Sequence, residues 1–225
     1  MQKETMKRVR RALNIILVWG VLLSCTGMAW EPLNDSVQMI PYEESKMAEF
    51  SKELQEAKEI YVEWDNGKTR TAIDVQSGNE YEEITQNGTV KRRFFQNEPN
   101  KRTPIGVYDL LERNQVPCYL PIESDAIIDI YGLLKGVDGS HVEMVQVSYE
   151  GANRKETIQV GEETRTMIFL GETAIPICAG RKNDMEDFMI TFNIFAYKVY
   201  DAEMKTALKT GLKGRALYIP PYPDV

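Results

Sequence analysis

The sequence predicts an α+β, β-rich fold, in which an antiparallel sheet or sandwich has an N-terminal and a late amphipathic helix packed on it. Asn-Gly pairs at 66–67 and 87–88 separate runs of alternating apolar and polar residues, and this dipeptide is typical of hairpin turns. Strand-like segments separated by Gly, Asn and Asp follow one another after residue 118. Helical apolar spacing occurs in two segments that flank the strands, so the sheet is expected to form most of the fold.

The first helix is predicted within residues 43–60. Acids and lysines occupy one face of this segment, and four apolar residues at helical spacing form the other: Met47, Phe50, Leu54 and Ala57. Such an apolar stripe is expected to pack in the core. The late helix is predicted to begin after Asp201, a good N-cap residue, and to end near the glycines at 211 and 214.

Strands are predicted where apolar and polar residues alternate, as at Ile60, Val62 and Trp64 in the first hairpin. Five strand-like segments follow residue 118: DAIIDIYGLL (125–134), HVEMVQVSY (141–149), KETIQVG (155–161), TRTMIFLG (164–171) and FMITFNIFAYKVY (188–200). In the last one the alternation changes phase after Ile194, which indicates a bulge or a strand buried on both faces. The segment IGVYDLLER (105–113) predicts a short helical turn, and RALYI (215–219) predicts a final strand.

The first 30 residues have the order that export machinery recognises. Four basic residues precede an apolar run from Ile15 to Leu23, and small residues follow it. The residues Leu22-Leu23-Ser24-Cys25 resemble the lipobox of bacterial lipoproteins. Leu lies three residues before the cut and a small residue directly precedes the cysteine, although Leu23 is larger than the residue usual at its place. The resemblance covers the first 25 residues and implies nothing about the rest of the chain.

The lipobox resemblance implies that residues 1–24 are a signal peptide and that Cys25 becomes the lipid-modified first residue of an exported protein. Thr26 follows the cysteine, whereas Asp at that place marks inner-membrane retention in enterobacterial lipoproteins. The resemblance therefore implies an outer-membrane lipoprotein on the periplasmic side of a bacterial cell envelope, attached to the membrane through its lipid anchor.

Two alternatives to lipidation remain open. Ordinary signal peptidase could cut after Ala29, because Gly27-Met28-Ala29 has small residues at the right spacing. The uncharged run from Ala12 to Trp30 could also stay as a membrane helix, although it only just reaches the ~20 residues needed to span a bilayer.

The rest of the chain is expected to be a tether and one domain. Residues 25–42 contain the lipidated cysteine, two prolines and no clear period, which is typical of a linker. Residues 43–225 are enough for one good core and short for two, so they are expected to form a single β-rich globular domain.

The two other cysteines, Cys118 and Cys178, form an even pair once Cys25 carries lipid. Because disulfides persist in oxidising compartments such as the periplasm, the sequence predicts a disulfide between them, with two separate buried thiols as the alternative. Closing a loop of about 60 residues would stabilise the fold by up to about 4 kcal/mol in the chain-entropy model.

The net charge excludes some classes of partner. Residues 1–24 carry five basic side chains and one acidic one, so the chain from Cys25 onward has a net charge of −11, compared with −7 for the whole chain. Nucleic-acid binding needs a basic face, and charge-driven attachment to anionic lipid needs one too. We therefore expect no nucleic-acid partner and a surface that suits a basic protein partner.

The sequence contains no motif typical of histidine-, zinc- or nucleotide-dependent enzymes. The single histidine, His141, lies close to Asp138 and Ser140. It is expected to be a turn residue, because adjacent residues of an extended chain point in opposite directions. The wide cysteine spacing argues against a metal site. The sequence therefore predicts no cofactor, no metal and no catalytic residue.

The predicted function is that of a non-enzymatic, protein-binding lipoprotein of accessory or immunity type. Partner contacts are expected in an acidic loop and in the aromatic C-terminal tail, at Asp184, Glu186, Asp187, Tyr218 and Tyr222. Two other functions remain open. A periplasmic hydrolase would need only two suitably spaced carboxylates, and a structural subunit of an envelope assembly would need no catalytic group.

Overall fold

The computed structural model describes most of the chain after residue 36. The described ranges are 37–97, 104–113, 116–122, 127–135, 142–212 and 216–217. The helices are α1 (Lys46–Glu56), α2 (Ile130–Leu134) and α3 (Ala202–Thr210), and a 3-10 turn lies at Tyr42–Glu44. The strands are β1 (Gln38–Pro41), β2 (Glu59–Trp64), β3 (Thr69–Asp74), β4 (Glu80–Gln86), β5 (Thr89–Asn97), β6 (Pro104–Arg113), β7 (Val116–Pro121), β8 (Met144–Glu150), β9 (Asn153–Val160), β10 (Glu163–Phe169), β11 (Pro176–Lys182), β12 (Asp187–Ala196) and β13 (Ala216–Leu217).

All thirteen strands of the described residues belong to one sheet, in the order β1-β8-β9-β10-β11-β12-β2-β3-β4-β5-β6-β7-β13. Neighbouring strands are antiparallel, except that β13 runs parallel to β7. β12 joins the two halves of the sheet, because it pairs with β11 on one side and with β2 on the other. The prediction of a β-rich fold made mostly of antiparallel sheet is confirmed.

The sheet carries a hydrophobic core on each of its faces. On the first face, α1 and α2 pack on β2, β3 and β8–β12, and Phe50 and Phe169 are among the buried side chains. On the second face, α3 packs on β2–β5 and β7. β2 contributes to both cores because successive side chains of a strand point to opposite faces. Ile60 and Val62 lie in the core of the first face, and Tyr61 lies in that of the second.

Both Asn-Gly pairs lie in hairpin turns, as predicted. Asn87 and Gly88 form a two-residue loop with φ values of 50° and 76°, which is the left-handed geometry that this dipeptide adopts at low cost. The first hairpin has a longer loop, residues 65–68, because Trp64 pairs with Thr69. Its residues 65–67 all have positive φ.

Helix α1 begins after Ser45, whose hydroxyl accepts a hydrogen bond from the Ala48 N–H at 3.0 Å. This contact pairs one of the four N–H groups that a helix start leaves free. Met47, Phe50 and Leu54 are buried, and the Phe50 ring lies 6.3 Å from the Phe169 ring of β10. The apolar stripe of α1 therefore faces the core.

Helix α3 is fixed at both ends. At its start, Asp201 Oδ1 accepts a hydrogen bond from the Met204 N–H at 2.9 Å. At its end, the Tyr119 hydroxyl of β7 donates to the Gly211 carbonyl at 2.6 Å. Met204 and Leu208 are buried between these points, so the helix is held on the second face by its caps and by its apolar side.

Two segments differ in type from the sequence prediction. Residues 105–113 lie in strand β6, which pairs with β5 on one side and β7 on the other, and this pairing outweighs local helix propensity. In the predicted strand 125–134, residues 130–134 form α2, whose N-cap Asp129 accepts a hydrogen bond from the Gly132 N–H at 2.8 Å. Residues 38–41 of the predicted tether form β1, which pairs with β8.

The phase change predicted in the last long strand is a β-bulge. The register between β12 and β2 shifts between Phe192 and Ile194. Phe192 and Phe195 consequently both face the core of the first face, although they are three residues apart in a strand. The bulge keeps Phe192 and Phe195 on the side that α1 covers, whereas Ile194 is exposed.

Candidate functional site

The hairpin between β11 and β12 ends in a loop with three internal hydrogen bonds. Lys182 pairs with Asp187, and residues 183–186 form the loop. Asn183 Oδ1 accepts hydrogen bonds from the N–H groups of Met185 (2.9 Å) and Glu186 (2.8 Å), and the Asn183 N–H donates to the Glu186 carbonyl at 2.8 Å. These three bonds fix the loop backbone in one conformation. Residues 181–187 are called the hairpin tip below.

The predicted contact acids lie at this hairpin tip, and two of them are paired with basic side chains. Arg181 Nη2 lies 2.8 Å from Glu186 Oε2, and Lys182 Nζ lies 2.7 Å from Asp187 Oδ2. Asp184 is exposed at the same loop. Because exposed ion pairs contribute only about 0–1 kcal/mol each, a partner could replace them at little cost. The tip therefore presents both signs of charge.

The sequence prediction missed the two methionines of this hairpin. Met185 is 97% exposed at the centre of the loop, and Met189 is 47% exposed on β12. The Met189 side chain lies across Gly180, where a Cβ atom would lie 2.6 Å from the Met189 sulfur. Methionine is enriched at protein interfaces because its flexible side chain adapts to different partners. One signal in the sequence could have indicated this surface: Met185 is an apolar residue inside the otherwise polar turn KNDMED.

The predicted disulfide is wrong: Cys118 and Cys178 are both buried free thiols. Six strands separate β7 from β11 in the sheet. The two side chains also point to opposite faces, because their neighbours Tyr119 and Ala179 lie in the cores of the second and the first face respectively. Burial raises the pKa of the Cys178 thiol, although Thr191 donates a hydrogen bond to it. A disulfide between these residues would require a different sheet.

The predicted signal peptide, residues 1–24, and four of the individual residues to which the sequence analysis gave a role lie outside the described residues. These four residues are Cys25, His141, Tyr218 and Tyr222. The lipidation of Cys25 and the partner contacts of the two tyrosines stay predictions.

Two buried carboxyl groups on β4 form a second unusual site, which the sequence prediction also missed. Glu80 is 0% exposed and Glu82 is 2% exposed, and both side chains lie on the first face. Glu82 pairs across the strands with Arg93, and Arg93 pairs with Asp109. Arg93 Nη1 lies 3.7 Å from Glu82 Oε2 and Arg93 Nε lies 3.3 Å from Asp109 Oδ1. One guanidinium therefore serves two carboxylates.

Burial raises the pKa of both carboxyl groups. The pKa of Glu82 rises to about 7, because desolvation and the nearby Asp109 outweigh the attraction of Arg93. The pKa of Glu80 rises well above its ordinary value through desolvation and through the charges of Asp129 and Glu82. In the sequence, EYEEITQ is typical of a half-exposed strand, and nothing in it indicates that both acids of one face are covered.

The opposite face of the same strands has a better balanced row of charges. Glu83 pairs across the strands with Arg70 and with Arg92, and both arginines contact its carboxylate. The row is covered by the first turn of α3, where Asp201 and Glu203 lie 3.6 Å from the Arg70 and Arg92 guanidinium groups. Two guanidinium groups thus contact Glu83, whereas Glu82 shares the single Arg93 guanidinium with Asp109.

Within the described ranges, no group of three or more His, Cys, Asp or Glu side chains is placed to hold a metal ion. The helices of this part of the chain are also too short or too polar to cross a membrane. No protein-family model matches the sequence. A search of curated proteins likewise gives no match.

Proposed function

We propose that this protein is an exported, lipid-anchored envelope protein that binds another protein through the hairpin tip and catalyses no reaction. The single observation that carries the binding surface is the fully exposed Met185 on a loop whose backbone is fixed by three hydrogen bonds. A loop that is already ordered loses little conformational entropy on binding. The β-rich domain, with its amphipathic helices packed on the sheet, is the scaffold that holds this loop.

The chemistry of the hairpin tip suits a protein partner with a shallow apolar pocket and a charged rim. Met185 and Met189 supply apolar surface, and the Arg181–Glu186 and Lys182–Asp187 pairs border it. An apolar centre inside a polar rim is the usual anatomy of a protein interface. The net charge of −11 beyond residue 24 favours a basic partner by long-range attraction.

A photo-crosslinking amino acid at position 185 tests this proposal in cells that express the full chain. Position 90 is the matched control, because Val90 is also an exposed apolar residue beside a hairpin turn, and it is 44% exposed. We expect one discrete crosslinked protein from position 185 and none from position 90. Equal crosslinking patterns at the two positions would contradict the proposed binding surface.

Substitution of Met185 by glutamate should weaken binding of the crosslinked partner by roughly tenfold or more, as for a central contact residue. The melting temperature should not change, because the side chain is 97% exposed. Val90→Glu should leave the affinity unchanged. Affinities are measured by titration of the purified full chain in detergent, at low and high salt, and binding to a basic partner should weaken at high salt.

Replacement of Cys25 by serine should move the protein from the membrane fraction to the soluble periplasmic fraction. It should also abolish labelling by a fatty-acid probe, because the acyl chains attach at this residue in lipoproteins of the type that Leu22-Leu23-Ser24-Cys25 resembles. Ser24→Ala is the control and should keep both. Labelling that survives Cys25→Ser would rule out the lipidation proposal and leave cleavage after Ala29 or a membrane helix.

The alternative proposal of a carboxylate-dependent hydrolase has one specific pair to test, Glu80 and Glu82. Both carboxyl groups are buried, and Glu80 is in direct contact with α2 through the Tyr131 N–H, so a substrate would reach Glu80 only after α2 moves. A structural subunit of an envelope assembly differs from the binding module in stoichiometry. It would crosslink from position 185 into a repeating assembly, whereas the proposed module gives a one-to-one complex.

A further inference from the structure

The neighbouring strands β4 and β5 carry three buried side-chain acceptors that have no donor within hydrogen-bond distance. Among the buried side-chain atoms of the described residues, Glu80 Oε1, Glu82 Oε2 and Asn97 Oδ1 have no hydrogen-bond partner. Glu80 and Glu82 are two residues apart on one strand, and Asn97 lies on the adjacent strand, two residues from Phe95, which pairs with Glu80. Glu80 and Glu82 therefore belong to the same face, and Asn97 lies at the register shift between β5 and β6. Buried acceptors without a donor are costly.

The charged groups around the two carboxyls leave an excess of negative charge. β3 contributes only Thr71 and Ile73 opposite Glu82 and Glu80. β5 and β6 contribute Arg93 and Asp109 in the same row. The segment before α2 contributes Asp129. Lys135 and Arg181 lie near Asp129 and partly offset its charge. The immediate surroundings thus hold four carboxyl groups and one closely placed guanidinium.

A single proton would reduce both the number of acceptors without a donor and the excess of negative charge. Protonation turns one carboxylate oxygen from an acceptor into a donor, so it could pair with one of the remaining acceptors. Protonation also removes one of the buried negative charges. We propose that Glu80 and Glu82 together hold one proton in the folded protein, and that release of this proton at higher pH loosens the docking of α2 on the sheet.

Helix α2 is the element that would respond, because it contacts Glu80 directly. The Tyr131 N–H donates to Glu80 Oε2 at 3.2 Å, and the Tyr131 hydroxyl donates to the Val75 carbonyl at 3.5 Å. Arg165 Nη1 donates to the Gly132 carbonyl at 3.5 Å. By contrast, β3, β4 and β5 are joined by continuous ladders. Movement of α2 would therefore let water reach Glu80 without breaking a strand ladder.

The direction of the pH effect follows from the carboxyl pKa values. The pKa of Glu82 is raised from 4.5 to about 7 in the folded protein, and the pKa of Glu80 is raised in the same direction. The closed state consequently binds a proton more tightly than an opened state in which the carboxyls are hydrated. The contribution to α2 docking is present in full below about pH 4.5 and is lost as the pH rises to about 7.

Amide hydrogen exchange of the full chain in detergent, at pH 5 and pH 8, tests this inference. After correction for the chemical exchange rate, we expect the protection of the α2 amides to fall tenfold or more at pH 8. The protection of the β2 and β3 amides should fall much less between the same two pH values. Glu82→Gln should remove most of this fall in α2 protection, because the amide side chain supplies a hydrogen-bond donor and does not titrate. Glu150→Gln is the control for an exposed acid of the same sheet and should behave as the unmodified protein.

Three results would overturn the inference. The first is α2 protection that is the same at both pH values in the unmodified chain, a comparison that needs no variant to fold. The second is an equal loss in α2 and in all the strands, which would mean global destabilisation. The third is a fall that persists in Glu82→Gln and in a separate Glu80→Gln variant, which would assign the proton to another group. None of these results depends on the proposed partner or on the hairpin tip.

Discussion

Replacement of Glu156 by alanine is expected to lower the free energy of unfolding by about 3–5 kcal/mol. Glu156 is fully buried on β9, and its two carboxylate oxygens accept hydrogen bonds from the Lys46 and Met47 N–H groups at 2.8 Å each. Arg154 Nε also donates to it at 2.8 Å. The alanine variant would leave two helix-start N–H groups without their acceptor, and the largely buried Arg154 guanidinium would keep only its second carboxylate partner, Glu172.

Urea unfolding of the purified full chain, followed by far-UV circular dichroism, measures this effect. Glu150→Ala is the matched control, because Glu150 pairs with Lys155 in the same β8–β9 hairpin but is 52% exposed. Such an exposed pair should change stability by no more than about 1 kcal/mol. A loss below about 1 kcal/mol for Glu156→Ala would mean that β9 does not hold the start of α1.

Replacement of Phe50 by alanine is expected to cost about 3–5 kcal/mol, because it removes a fully buried ring and leaves a cavity. The ring lies 6.3 Å from the Phe169 ring and 5.7 Å from the Phe195 ring, so three elements lose contact at once. Phe50→Leu, which keeps most of the volume, should cost less than about 1.5 kcal/mol.

The same experiment on Phe94 shows whether the two cores unfold together. Phe94 is buried in the core of the second face, with its ring 6.1 Å from the Tyr119 ring. Because β2 and β3 contribute to both cores, Phe50→Ala and Phe94→Ala should each shift one shared unfolding transition. Two separate transitions would show that the halves of the sheet are independent folding units.

Local signals in the sequence were sufficient for several elements. The pair Asn87-Gly88 predicts a tight hairpin, because few residues adopt positive φ at two successive positions, and the structure has this turn. The spacing of Met47, Phe50 and Leu54 predicts a helix with one apolar face, and these three side chains are buried on α1. The phase change predicted after Ile194 likewise corresponds to the bulge in β12, where the register shifts between Phe192 and Ile194.

Local signals misled where strand pairing or a cap decided the conformation. Residues 105–113 contain good helix formers, yet they form β6, which has a partner strand on each side. Residues 130–134 look like strand, yet they form α2 after the Asp129 cap. The partner strands β5 and β7 decide the conformation of residues 105–113, and they are not visible in that segment itself. The side-chain cap of Asp129 decides that of residues 130–134, and the apolar pattern does not show it.

The sequence by itself determined the elements whose causes are local: the hairpin turns, the cap residues, the apolar stripe of α1 and the predominance of strand. Only the tertiary structure decided which strands are neighbours, and hence that Cys118 and Cys178 point to opposite faces of one sheet. It also decided that Glu80 and Glu82 are covered and that Met185 is exposed. Burial and charge balance depend on residues far apart in the chain, such as Glu82 and Asp109 or Glu156 and Lys46. Alternation along one strand gives the face of a side chain, and only the neighbouring strands and helices determine whether that face meets water or a core.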